Sequence, residues 1–204
     1  MSQCGDRVHG KTLNDAVFAI RRSALNGSAT MRSIDAGSLT LEPQTAAHAE
    51  AMFVVLNDAA IYEYENEPPA FLERLRERFT KLETRQSPDG AEKWLNWVIR
   101  LPNSELIGYV QATVHCDDRA AIAYELSSKY WGRGLAHRAV QAMTTELVEQ
   151  YRVRRLTAVL KQENGRSLRL LERLGFSRAS PELHAKHAVE PGELLMHREC
   201  DRGD

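Results

Sequence analysis

The chain has 204 residues, enough to bury one full core, and a single domain is the default at that length. Its 27 Lys and Arg nearly balance 28 Asp and Glu, and a net charge of −1 gives no electrostatic case for nucleic acid or an anionic membrane as partner. No apolar run approaches the ~20 residues of a membrane span. Cys4, Cys116 and Cys200 have no paired spacing, which points to reduced thiols in a cytoplasmic protein and away from a disulfide frame or a metal site.

Residues 1–37 are rich in Ser, Gly, Ala and Asn and read as a flexible extension, with Met31 as an alternative start. Their one apolar stretch, Ala16 to Ile20, is too short for a signal-peptide core. The domain proper is expected over residues 38–200. Ser38 to Glu42 reads as a strand closed by Pro43. Thr45 then caps a helix that buries His48, Met52, Val55 and Leu56. Tyr62 to Pro69 is a loop dense in Tyr and Glu. Phe71 to Leu82 is a second helix, with Leu72, Leu75, Phe79 and Leu82 inward. Trp94 to Arg100 and Leu106 to Val114 form a hairpin about L-P-N-S-E.

Ala120 to Leu126 (A-A-I-A-Y-E-L) is a strand that enters Y-W-G-R-G-L-A, Tyr130 to Ala136. Beyond it, Ala136, Val140, Met143, Leu147 and Tyr151 recur at near-helical spacing. A glycine turn feeding a helix is an anion cradle. Gly132 and Gly134 lack a Cβ, the first helical N–H groups lack partners, and the helix dipole adds positive charge. Two glycines alone are more often just a turn. No Gly-Lys-Ser/Thr follows, which excludes a Walker loop, and the third glycine of a dinucleotide fingerprint is missing.

Arg155 to Leu160 is the next strand. It leads into K-Q-E-N-G-R-S-L-R-L-L-E-R-L-G-F, Lys161 to Phe176, a helix capped by Gly175. Ser177 to Pro191 carries no clear element, and Glu193 to His197 is a last strand. Arginines cluster at 152, 154, 155, 166, 169 and 173 with glutamates between them, the pattern of a solvated face.

This succession of strand, Y-W-G-R-G-L-A, helix, strand and N-x-x-S-x-x-L-L-x-x-L-G-F resembles the GNAT superfamily of N-acetyltransferases, nearest to the ribosomal-protein N-terminal acetyltransferase branch. The likeness is specific over residues 120–178 and looser from 39 to 113. It implies an α/β (α+β) fold with a mixed, mostly antiparallel central sheet, helices on both faces and splayed central strands. It implies acetyl-coenzyme A as co-substrate, lying between the strands at Ala120–Leu126 and Arg155–Leu160. The pyrophosphate would rest on backbone of Gly132, Arg133, Gly134, Leu135 and Ala136, with Arg133 lending charge. Pantetheine would pair with backbone at Leu126 and Ser127, with Asn164 hydrogen-bonding it from the far side. Some of the clustered arginines would meet the 3′-phosphate.

The implied reaction is attack of an amine, a protein N-terminus or a small molecule, on the thioester in a ternary complex. It needs no metal. The Leu126 N–H would hold the carbonyl oxygen. Many relatives place a Tyr seven residues after the Asn; here Leu171 stands there. Ser167, three after Asn164, matches the serine of the ribosomal-type branch, and equally suits a helix N-cap or first-turn hydroxyl. Glu125, a carboxylate inside an apolar strand, is a candidate base or else the partner of a neighbouring arginine. Tyr124 alternates with it and reads as core, and His115 reads as an exposed turn residue. Tyr62, Glu63, Tyr64, Glu65 and Glu67 would suit a cationic acceptor or form a solvated loop, and Trp94 and Trp97 are further candidates for the acceptor wall. A non-catalytic acyl-coenzyme A-binding module is the competing reading, and a homodimer is compatible with either.

Overall fold

The computed structural model describes residues 31–64, 66–187 and 189–200. Most of the expected extension, and Glu65, lie outside the described residues. The strands are β1 (Ile34–Asp35), β2 (Thr40–Pro43), β3 (Glu92–Arg100), β4 (Leu106–His115), β5 (Arg119–Leu126), β6 (Arg155–Lys161), β7 (Ser177–Arg178) and β8 (Glu193–Glu199). The helices are α1 (Ala49–Leu56), α2 (Leu72–Leu82), α3 (Leu135–Tyr151), α4 (Gly165–Arg173) and α5 (Pro181–Lys186). The sheet runs in the order β1-β2-β3-β4-β5-β6-β8-β7. Only β5 and β6 pair in parallel among the described strands.

Alternation along the strands sorts the core into two layers. Trp97, Ile99, Val110, Ile122 and Leu156 face one side and pack with Val140, Met143 and Leu147 of α3 and Leu171 of α4. Val98, Leu106 and Tyr109 face the other side and meet Met52 and Leu56 of α1 and Leu75 and Phe79 of α2. Strand β3 is covered on both faces, which is why W-L-N-W-V-I is nearly continuous in apolar residues.

Differences from the sequence reading have local causes. The helix expected after Thr45 opens as a 3-10 turn, Ala46–His48. His48 is half-buried and belongs to the cap: its Nδ1 accepts the Thr45 N–H at 3.0 Å, while Ala49 takes the buried place. In the polar stretch after Phe176, Ser180 caps α5 by accepting the Leu183 N–H at 3.3 Å, with Pro181 in the first turn.

Described structure also begins ahead of Ser38. Ile34 pairs with Leu41, and Trp97 Nε1 donates to the Arg32 carbonyl at 3.1 Å. The Arg32 guanidinium reaches the buried Glu146 carboxylate at 2.8 Å. A two-residue strand and one ion pair leave no periodic trace in the sequence.

The feature that builds the site is a divergence. β5 and β6 pair only at Arg119↔Arg155, Ala120↔Leu156 and Ala121↔Thr157. Both strands continue, β5 to Leu126 and β6 to Lys161, without further pairing to each other. The splay expected between these two strands is present.

On its other edge β5 is held tightly by β4. A Cβ built on Gly108 would lie 2.1 Å from the Glu125 carbonyl oxygen and 2.9 Å from the Leu126 Cα. Gly108→Ala must therefore push the end of β5 aside. A lower melting temperature is expected, by several degrees for overpacking of about 1–3 kcal/mol. Thermal denaturation checks it, and an unchanged midpoint would show that β5 yields freely.

Candidate functional site

Two cavities meet where the strands part. The first, about 730 Å³, is walled by Tyr62, Tyr64, Glu67, Pro69 and Arg78 and floored by Tyr109, Ala123, Glu125 and Val159. The second, about 340 Å³, is bounded by Gly132, Gly134, Leu135, Ala136 and His137 on one side and by Arg166, Arg169 and Arg173 on the other. Ile61, Tyr64, Tyr124, Glu125, Asn164 and Ser167 border both. Both volumes suit small-molecule sites.

The second cavity carries the anion cradle. Gly132 and Gly134 have φ of +74° and +73°, a left-handed conformation that favours glycine, and nothing lies within 4 Å of a Cβ added to either. Gly134 is the N-cap of α3, and the first backbone bond of the helix runs from Arg138 N–H to Gly134 O. The N–H groups of Leu135, Ala136 and His137 precede that bond and lie at the positive end of a 17-residue helix. The cradle fits a pyrophosphate. Arg133 is exposed and folds over the Tyr130 ring at 5.3 Å, outside the lining of this cavity. The arginines that do line it come from α4.

Register fixes the backbone at the end of β5. The Ser127 N–H donates to Ile107 O at 2.9 Å, so Ser127 and Ile107 are a hydrogen-bonded pair. Gly108 and Leu126 are then a non-bonded pair, and the Leu126 N–H and C=O point away from β4 into the splay. Trp131 caps that carbonyl, its Nε1 donating at 2.8 Å. Leu126 thus offers an N–H beside the second cavity, which it lines. Trp131 is a site residue the sequence reading missed; an aromatic two positions before a loop arginine gives no sign that it will fold back onto the strand. Its other face carries the Arg166 guanidinium at 4.0 Å.

Asn164 and Ser167 stand across the splay. Asn164 is the N-cap of α4, its side-chain oxygen accepting the Ser167 N–H at 3.1 Å. Ser167 lies in the first turn, so the capping alternative belongs to Asn164. The Asn164 amide nitrogen is the group left to face a ligand.

Glu125 occupies the floor of the larger cavity beside Tyr109, its partner in the β4–β5 ladder. The Tyr109 hydroxyl hydrogen-bonds the carboxylate. Burial first, and then the negative charge of Glu125, push the Tyr109 and Tyr62 hydroxyls well above the ordinary phenol range. Both therefore stay neutral donors at any working pH. Arg78 is the cation of this cavity and opposes those shifts.

The loop that follows α1 is tied to the end of β5 by Asp58. Its carboxylate accepts the Ser128 N–H at 2.7 Å, the Ser127 hydroxyl at 3.3 Å and the Ala60 N–H at 3.2 Å. Burial disfavours the charged form, but these donors outweigh it and hold the Asp58 pKa below the usual aspartate value. Glu63 binds Arg166 at 2.6 Å, and Tyr64 flanks the same guanidinium at 5.7 Å. Trp94 and Trp97 border neither cavity: Trp97 is fully buried in the α3 layer and Trp94 lies beside Lys81. His115 is half-exposed, 3.5 Å from Glu92.

Among the described residues no group of three or more His, Cys, Asp or Glu could hold a metal ion, and no helix is long and apolar enough to cross a membrane.

Comparison with known proteins agrees with this geometry. The acetyltransferase (GNAT) domain family model matches residues 38–177. Similar solved structures include RimL, a ribosomal L7/L12 alpha-N-protein acetyltransferase in complex with coenzyme A, at TM-score 0.70 and 17% identity over 83% of this chain and 98% of that chain. The ribosomal-protein-S5-alanine acetyltransferase from Vibrio fischeri aligns at 0.66 and 19% identity, covering 83% and 97%. The microcin C7 self immunity acetyltransferase MccE, in complex with acetyl-CoA and AMP, aligns at 0.69 and 17% identity, covering 85% and 99%.

Proposed function

The chain belongs to the GNAT acetyltransferase family, and on that premise we propose that it moves an acetyl group from acetyl-coenzyme A to a primary amine by direct attack in a ternary complex. The observation that carries the reading is the meeting of two cavities at one junction, an anion cradle on one side and an acidic, tyrosine-lined chamber on the other. The co-substrate supplies an activated thioester. Backbone of Gly132 to Ala136 would hold its pyrophosphate, and Arg166, Arg169 and Arg173 its remaining phosphate. The backbone of Leu126 and Ser127, with the Asn164 side chain, would hold its pantetheine.

Acceptor chemistry follows from what this chain offers. Glu125 and the rings of Tyr62 and Tyr64 suit an ammonium group, and the carboxylate can take the proton that attack releases. The Leu126 N–H would bind the carbonyl oxygen as it gains charge. Ser167 sits at the junction, where a departing thiol would pass. Action in the cytoplasm accords with the thiol content and adds nothing to the site. A module that binds acyl-coenzyme A without transferring it would keep the cradle and lose the transfer. Thiol release from acetyl-coenzyme A against a panel of peptide N-termini and small amines separates the two. Binding without release for every amine would leave only the non-catalytic reading.

A further inference from the structure

Transfer of an acetyl group breaks a carbon–sulfur bond, and the electron pair leaves on sulfur. A donor near that sulfur lowers the cost of the charge. Among the described residues that border both cavities, only Tyr64, Tyr124 and Ser167 carry a hydroxyl. Tyr64 sits on the acceptor loop with its ring against Arg166. Tyr124 is different. It is fixed in β5, on the face opposite Glu125, and its hydroxyl crosses the splay to α4. There it lies 3.5 Å from the Ser167 carbonyl oxygen. A 3.5 Å contact is at the outer limit of a hydrogen bond, so the proton can be redirected to a better acceptor at little cost. One turn beyond Ser167, Leu171 is 1% exposed and offers no polar atom.

Resting on the proposed acetyl transfer, we infer that Tyr124 is a catalytic residue: its O–H donates a hydrogen bond to the departing sulfur, with Ser167 holding the phenol in place. The balance is simple. The amine nitrogen forms the new bond to the acetyl carbon as the carbon–sulfur bond breaks. The proton lost by nitrogen goes to Glu125 and then to water. The thiolate leaves with its electron pair, stabilised by the Tyr124 O–H, and takes its proton from water. Burial pushes the Tyr124 hydroxyl up to about 12, with Ser167 opposing. It therefore remains a neutral donor and does not give its proton away to a thiolate, whose conjugate thiol is more acidic.

The test is the acidity of bound coenzyme A, which needs no acceptor and no turnover. Thiolate absorbance of coenzyme A on the full-length protein is followed against pH, with bound desulfo-coenzyme A as the blank, for wild type and Tyr124→Phe. Loss of one hydrogen bond to a charged acceptor should raise the bound thiol's pKa by about one to two units. Melting temperature and coenzyme A affinity should stay near wild type. Equal thiol pKa values in the two proteins overturn the inference and make Tyr124 structural. If coenzyme A fails to bind the wild type, the cofactor reading itself falls, and this inference with it. Once an acceptor is known, Tyr124→Phe should lower kcat roughly 10–100-fold, at or below the loss of one oxyanion donor, with little change in KM for acetyl-coenzyme A.

Discussion

Acetyl-coenzyme A at about a hundred times its dissociation constant should raise the melting temperature of the wild-type protein by roughly 5–10 °C, and Gly134→Val should erase that shift. The first number follows from mass action. A ligand that binds only the folded state at that excess stabilises it by about 2.7 kcal/mol, and a chain of this size gains about 2–4 °C per kcal/mol. The second follows from backbone conformation. Gly134 holds φ +73° at the start of α3, where a β-branched residue is strongly disfavoured. No atom lies within 4 Å of the added Cβ, so the fold is not crowded. The cost appears as strain at one residue and as a side chain projecting into the space of the bound anion. The variant should still melt cooperatively, a few degrees lower, with no response to ligand. A full shift in Gly134→Val would place the anion elsewhere.

Turnover should fall about 10²–10⁴-fold in Glu125→Gln, the usual cost of removing a proton-transfer group. Where in that range depends on the acceptor. At pH 7 roughly 15% of an α-amine is already neutral, against less than about 0.1% of a lysine-like amine. A base is worth less to the first, so a small loss would indicate a peptide N-terminus and a large one an alkylamine. Raising the pH supplies neutral amine and should recover part of the rate in either case. Cofactor affinity should hold, because the cradle is built from residues 132–136 and Glu125 meets that cavity only at its junction with the larger one. Turnover against pH for both proteins is the measurement. Wild-type rates across the range would leave Glu125 a structural partner of Tyr109.

How well the site could be read from sequence divides along the splay. The cofactor half is drawn by backbone: two glycines before an amphipathic helix, and an N-cap asparagine. Such features need particular residue types at particular offsets, so Gly132, Gly134 and Asn164 stand out in a single chain. The larger cavity, the proposed acceptor half, is drawn by side chains brought together from α1, α2, β4 and the loop between the helices. Tyr109 and Arg78 reach the same cavity as Glu125 through tertiary packing, and no local pattern marks them. Alternation placed Tyr124 on the opposite face from Glu125, yet its length lets the hydroxyl cross the splay to Ser167. The fold shows the same division. Long periodic elements such as α3 match the residues expected within one or two positions. β1 and α5, held by a few backbone bonds and a serine cap, left nothing to count.

The junction between the chambers has a consequence for kinetic order. Each chamber has its own lining, and among the described residues only six belong to both. Neither ligand need pass through the other's site to enter or leave. Under the proposed function, donor and acceptor can therefore bind in either sequence. Initial-rate plots against both substrates should intersect instead of running parallel, and coenzyme A should compete with acetyl-coenzyme A but not with the amine at saturating donor. An obligatory order would have to come from movement of the loop that Asp58 fastens to Ser127 and Ser128, since nothing in the shape of the two openings imposes one.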